Sequence, residues 1–195
     1  MKILTSIAVF SAVLTLSIAA NAQKVKLQSG DLSVLKNEST INFEFTYENM
    51  GVGKYKDEAE YVAKKTEDYN KKQAGRGDAW ARAWVADRKE RFEPRFIELF
   101  GKYSSIFEKK DSKYTIIFNT RFIEPGYNVY VSRENAKISG DATIVETADH
   151  SKVIAVVSID KAPGRTFGGD DYDTGTRLSE AYADAGKALA KLIKK

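Results

Sequence analysis

The chain has 195 residues, 43% hydrophobic and 30% charged, with 31 basic and 27 acidic side chains, a formal net charge of +4 and no cysteine. So small an excess, spread over so many charges, excludes a dedicated nucleic-acid binder, which gathers Lys and Arg on one face. The missing cysteine excludes disulfides, thiol nucleophiles and thiolate metal sites, so stability must come from packing and hydrogen bonds.

Lys2, an apolar run over residues 3–18 broken only by Thr and Ser, and then Ala20-Asn21-Ala22 predict a secretory signal peptide cut after Ala22. The run is too short and too rich in serine for a membrane anchor, and no cysteine follows it to carry a lipid. The mature chain, residues 23–195, has a length that makes one domain. It is expected to be periplasmic or secreted, with no transmembrane anchor.

Residues 23–30 are short, polar and basic and are expected to be poorly ordered. Leu32, Val34 and Leu35 predict a brief strand, and strict alternation through Ile41, Phe43 and Phe45 predicts a strand with one wet face. Gly51 and Gly53 break the pattern. From Asp57 to about Lys72 the spacing predicts an amphipathic helix with Ala59, Val62, Thr66 and Tyr69 on its apolar stripe. Gly75 and Gly77 end it, and Asp78 is placed to cap a second helix that carries Trp80 and Trp84 on one face. Pro94 must kink or restart that helix, and Phe92, Phe96, Leu99, Phe100 and Tyr103 extend its stripe.

Residues 114–123 predict another strand, ending in the turn Glu124-Pro125-Gly126-Tyr127. Ala136, Ile138, Gly140, Ala142 and Ile144 form one arm of a hairpin, and the run from Val153 to Ile159 forms the other. Leu178, Tyr182, Ala185, Leu189 and Leu192 recur at helical spacing in a closing helix with lysines near its carboxyl end. This order predicts a single α+β domain, with helices on one face of a mixed, mainly antiparallel sheet of about five strands. The helical insert between Tyr47 and Tyr114 predicts a parallel pair at the crossover.

Three candidate sites follow. The loop over residues 164–175 holds Asp170, Asp171 and Asp173 near a helix start, with Arg177 one turn on. Closely spaced carboxylates and glycines suit a hard cation such as calcium, although the EF-hand spacing fails. Helix capping by Asp173 or Thr174 explains the same acids with ordinary helix physics and is preferred. A phosphate held by the Gly168 and Gly169 amides with Arg165 and Arg177 would be repelled by the three aspartates. Trp80, Trp84, Tyr127 and Tyr130 are candidates for a partner-binding surface, although helical spacing puts the tryptophans in the core more often than outside it, with Trp80 the more exposed.

Arg76-Gly77-Asp78 spells an adhesion tripeptide that a loop glycine and a capping aspartate account for, and His150 is the sole histidine, so zinc and Ser-His-Asp chemistry lack support. A carboxylate-pair hydrolase using Glu44, Glu124, Asp141 or Asp171 leaves no spacing signature. No cofactor is expected, and a noncatalytic role is favoured over an enzymatic one.

Gly75-Arg76-Gly77-Asp78-x-Trp80, Phe92-Glu93-Pro94-x-Phe96, Ser139-Gly140-Asp141-Ala142-Thr143 and Gly168-Gly169-x-Asp171-Tyr172-Asp173-Thr174-Gly175 together resemble a group of small exported proteins of Gram-negative bacteria without an assigned chemistry. More remotely, the carboxyl half is similar in pattern to envelope assembly proteins, namely the curli-secretion lipoprotein family and the amino-terminal domain of the Tol-system propeller protein. The resemblance implies an α/β or α+β fold and a noncatalytic role that binds a protein or another envelope component. The chain departs from the lipoprotein members in lacking the lipidated cysteine.

Overall fold

Alternation in Thr40–Thr46 (β2) turns Ile41 and Phe43 inward, and the same period in Tyr114–Glu124 (β5) buries Ile116 and Phe118 on the same side. The two strands run parallel, with Phe43 opposite Ile116. A computed structural model describes residues 23–129, 132–164 and 173–195. The predicted leader, Tyr130, Asp170 and Asp171 lie outside these residues.

The parallel pair is joined by helices Glu58–Lys72 (α1), Arg76–Asp87 (α2) and Glu93–Ser104 (α3). Lys24–Gly30 (β1), Gly51–Val52 (β3), Phe107–Glu108 (β4), Ala136–Glu146 (β8) and Asp149–Gly164 (β9) complete a sheet of seven strands, ordered β1-β9-β8-β5-β2-β4 with β3 beside the end of β5. Tyr127–Val129 (β6) and Ser132–Glu134 (β7) form a separate antiparallel ribbon. The fold is α+β with a mixed sheet, as the order of elements predicts.

The closing helix, Thr174–Ile193 (α4), packs on β8 and β9 and runs beside α3. The approach is close because of Gly186, where an added Cβ would stand 2.2 Å from the Phe96 carbonyl oxygen. Ala181, Ala185, Leu189 and Ala190 are fully buried in the same layer. The far face of the sheet is polar and hydrogen-bonded along itself: Asn42 donates to Thr115 at 3.1 Å, Thr46 to Asn119 at 2.9 Å, and Arg121 bridges Asp141 at 2.7 Å and Asp160 at 3.0 Å. No helix among the described residues is long and apolar enough to cross a membrane.

Several local expectations are corrected. Residues 24–30 are ordered because they add an antiparallel edge strand to β9, from Lys24 opposite Asp160 to Gly30 opposite Ala155. Leu32 and Leu35 are buried, but Ser33–Leu35 is a 3-10 turn that carries the chain from one sheet edge to β2. The inward stripe of α1 is set by Tyr61 and Tyr69, while Ala59 is exposed. α2 starts two residues before Asp78: Gly75 adopts φ +77°, and the Gly77 amide donates to Asn70 Oδ1 at 2.7 Å, so Asp78 falls inside the first turn. The discontinuity near Pro94 is a π-helical turn, Arg88–Phe92, which lets the proline enter the first turn of α3, where its missing N–H costs nothing.

Candidate functional site

Two glycine-assisted turns frame a cleft where parallel strands β3 and β5 end. Gly53 (φ +57°) follows β3, and Gly126 (φ +63°) lies so close to Asn135 and Ala136 that a Cβ there would stand 2.7 Å from the Ala136 nitrogen. Between them Tyr55, Tyr61, Lys65, Glu124, Tyr127, Thr174 and Arg177 line a hollow of about 170 Å³. Tyr55 and Tyr61 meet edge to face at 5.9 Å, and the Lys65 ammonium lies over the Tyr61 ring at 6.0 Å and the Tyr69 ring at 5.4 Å. Tyr127 is 40% exposed at the mouth, its hydroxyl 3.2 Å from Ser132 Oγ across the ribbon.

The start of α4 forms the inner wall. Asp173 is the N-cap: its carboxylate accepts from the Thr176 amide at 3.0 Å and the Thr176 hydroxyl at 2.5 Å, and from Arg91 at 3.1 Å. Burial pushes this carboxyl upward, but the Thr176 and Arg91 hydrogen bonds outweigh burial and hold it below the ordinary carboxylate range. Arg177 is buried, with Nε donating to the Pro125 carbonyl at 3.3 Å, Nη1 to the Asp173 carbonyl at 3.3 Å and Nη2 to Thr174 Oγ1 at 3.3 Å. The guanidinium thus ties the helix start to the β5–β6 turn. Asp173 and Arg177 are brought together, but as capping and stapling groups, and a guanidinium on the carboxylate disfavours a cation there. Among the described residues no group of three or more His, Cys, Asp or Glu is placed to hold a metal ion.

Behind this wall, Asp87 and Arg91 project from α2 and the π-turn toward Gly175. A Cβ at Gly175 would stand 2.0 Å from Asp87 Oδ2, and burial pushes the Asp87 carboxyl up despite the pull of Arg91. Trp80 and Trp84 floor the adjoining hollow of about 270 Å³. Contrary to the expectation of a partly exposed Trp80, both indoles are core: 4% and 3% exposed, 5.5 Å apart and packed with Tyr61. Tyr61 and Tyr69 of α1 fold back over the face that the two tryptophans share. Trp84 Nε1 donates to Glu58 Oε1 at 2.5 Å, and Arg88 bonds the same oxygen.

The acids considered for a hydrolase have separate duties. Glu44 lies 3.8 Å from His150, Asp141 is held by Arg121, and Glu124 accepts from the Gly126 amide at 3.3 Å beside the cleft. Tyr55, Tyr61 and Lys65 escape a reading of the sequence. The glycine pair at residues 51 and 53 was the available signal, since it marks a turn that presents Tyr55 to α1.

No family model matches the sequence, and no curated protein matches it. Among solved structures, a PelC dodecamer from Paraburkholderia phytofirmans aligns with a TM-score of 0.38 at 7% identity, covering 84% of this chain and 97% of that one. A variant of the same dodecamer gives the same values. A likeness that shallow identifies no shared site.

Proposed function

We propose that the chain is a noncatalytic binding module of the bacterial cell envelope, exported as a single domain of residues 23–195, that receives a protein or wall component at the cleft beside the β6–β7 ribbon. The observation that carries this reading is the convergence of Tyr55 and Tyr127 with Lys65 and Glu124 at one end of the sheet, around a hollow backed by the buried Tyr61 and Arg177. Phenol rings give rigid contact area with a polar tip, and charges of both signs fix orientation, which is the make-up of a recognition surface. The ribbon, paired with no other strand among the described residues, widens that surface.

Co-sedimentation of the mature chain with isolated bacterial sacculi and with outer-membrane fragments tests the reading. Binding to either, weakened several-fold by Tyr127→Ala and by Lys65→Ala with thermal stability unchanged, supports it. Failure to pellet with both, or binding indifferent to the two substitutions, overturns it.

A further inference from the structure

The cleft occupies one pole of the molecule, and the opposite pole has a chemistry of its own. α4 begins at the cleft and runs 20 residues, a length of about 30 Å, to an end that it shares with α3. There the ammonium groups of Lys187 and Lys191 lie 5.1 and 5.4 Å from the centre of the Tyr103 ring, and Tyr103 is itself 38% exposed. The chain then leaves α3 and enters β4, whose Phe107 is 61% exposed, more than any other large apolar side chain among the described residues. A Cβ on Gly101 would stand 3.3 Å from Phe107 Cδ1, so one side of the phenyl ring rests on α3 at that glycine while the other faces solvent.

Charge gathers around these rings. Lys102 lies in the last turn of α3, Lys109 and Lys110 follow β4, and Lys191, Lys194 and Lys195 close α4, with Glu108 and Asp111 the acids of the same stretches, while the nearby Glu146 is taken by Lys152 at 3.0 Å. Residues 102–111 and 191–195 thus carry six lysines against two acids, an excess of four side-chain charges in two short stretches. Lys64, Lys71, Lys89, Lys137 and Lys152 are each paired with a carboxylate, but none of the six lysines at this pole is in an ion pair among the described residues.

We propose that this pole docks on a bilayer surface rich in anionic phospholipid headgroups, with the Phe107 ring entering the headgroup boundary and the lysines meeting the phosphates. Lysines alone would serve a soluble polyanion equally well. The exposed phenyl and phenol rings among them favour a bilayer, because aromatic rings settle at the headgroup level while lysine stems lie along apolar surface and keep their charge in water. Docked this way, the molecule holds the cleft about a helix length from the bilayer. The proposal does not depend on what the cleft binds.

Co-sedimentation of the mature chain with phosphatidylcholine vesicles, with and without phosphatidylglycerol, at low and high salt, provides the test. Binding about tenfold or more tighter with the anionic lipid, lost at high salt, is expected. Phe107→Ser, at a side chain mostly in water, and the double substitution Lys194→Glu with Lys195→Glu are each expected to weaken it several-fold with an unchanged melting temperature, while Tyr127→Ala leaves it intact. Equal affinity for both vesicles overturns the proposal. So does a response to Tyr127→Ala in place of Phe107→Ser, and so does equal binding to soluble polyphosphate that Phe107→Ser does not alter, which would make the pole a polyanion site.

Discussion

Phe92 and Tyr182 lie face to face, ring centroids 4.9 Å apart and planes within 4°. Phe92 closes the π-turn and Tyr182 sits fully buried on α4, its hydroxyl 2.8 Å from the Thr120 hydroxyl of β5. One stacked pair therefore couples the helical insert, the last helix and the sheet. Phe92→Ala is expected to cost about 3–5 kcal/mol, and Tyr182→Phe about 1–3 kcal/mol because the Thr120 hydroxyl is left buried without its partner. Urea denaturation measures both.

Gly186 is the contact point of α3 and α4. Gly186→Ala must push the helices apart, since the Phe96 carbonyl occupies the space of the new methyl. A loss of about 1–3 kcal/mol is expected, although the same substitution in an exposed helix would stabilise it. A raised melting temperature would show that the helices yield freely.

The hairpin and the start of α1, where the Asp57 carboxylate accepts from the Glu60 amide at 2.9 Å, are legible because each depends on residues close in sequence, and the parallel crossover, whose strands pair 73 residues apart, is legible from the order of elements. β1 is not. Its pattern, KVKLQSG, is nearly all exposed, and only β9, sixteen residues long, supplies its partner. Tyr127 and Arg177 are legible as separate candidates, but that they share one cleft with Tyr55 is not, since the three meet only through tertiary structure. Nor is the nearness of Lys102, Lys109, Lys110 and Lys191 legible, since it follows from α3, β4 and α4 ending at one pole.

Glu58 shows how a residue on a nominally wet helix face becomes structural. It accepts from the Trp84 indole and from Arg88, and the Arg88 guanidinium lies 4.2 Å from the centre of the Tyr47 ring. Glu58→Ala is expected to cost about 1–3 kcal/mol and to shift tryptophan emission to the red as water reaches Trp84. Unchanged emission and stability would remove Glu58 from the core network.

Asp173 sets a pH dependence with a definite sign. Its folded pKa is depressed below the ordinary value of 3.8, so the folded state binds fewer protons than the unfolded one in that window. Its contribution is complete above about pH 5 and is lost as pH falls through the folded value. Asp173→Ala is expected to cost about 1 kcal/mol at neutral pH, with the difference from the parent shrinking below pH 3.8. Asp173→Asn keeps a capping oxygen and is expected to lose that acid-sensitive part alone. Melting temperatures across pH measure all three chains.

The pairing of β1 with β9 also dictates when the molecule can close. The earliest strand to emerge from a ribosome waits for one of the latest, and the sheet's apolar side waits for α4, which supplies its cover. Long-range contacts of this kind delay collapse until synthesis is nearly finished. Until β9 and α4 are made, β1 has no partner and the apolar side of β8 has no lid, so a chaperone has a greasy face to hold until the last helix locks the body shut.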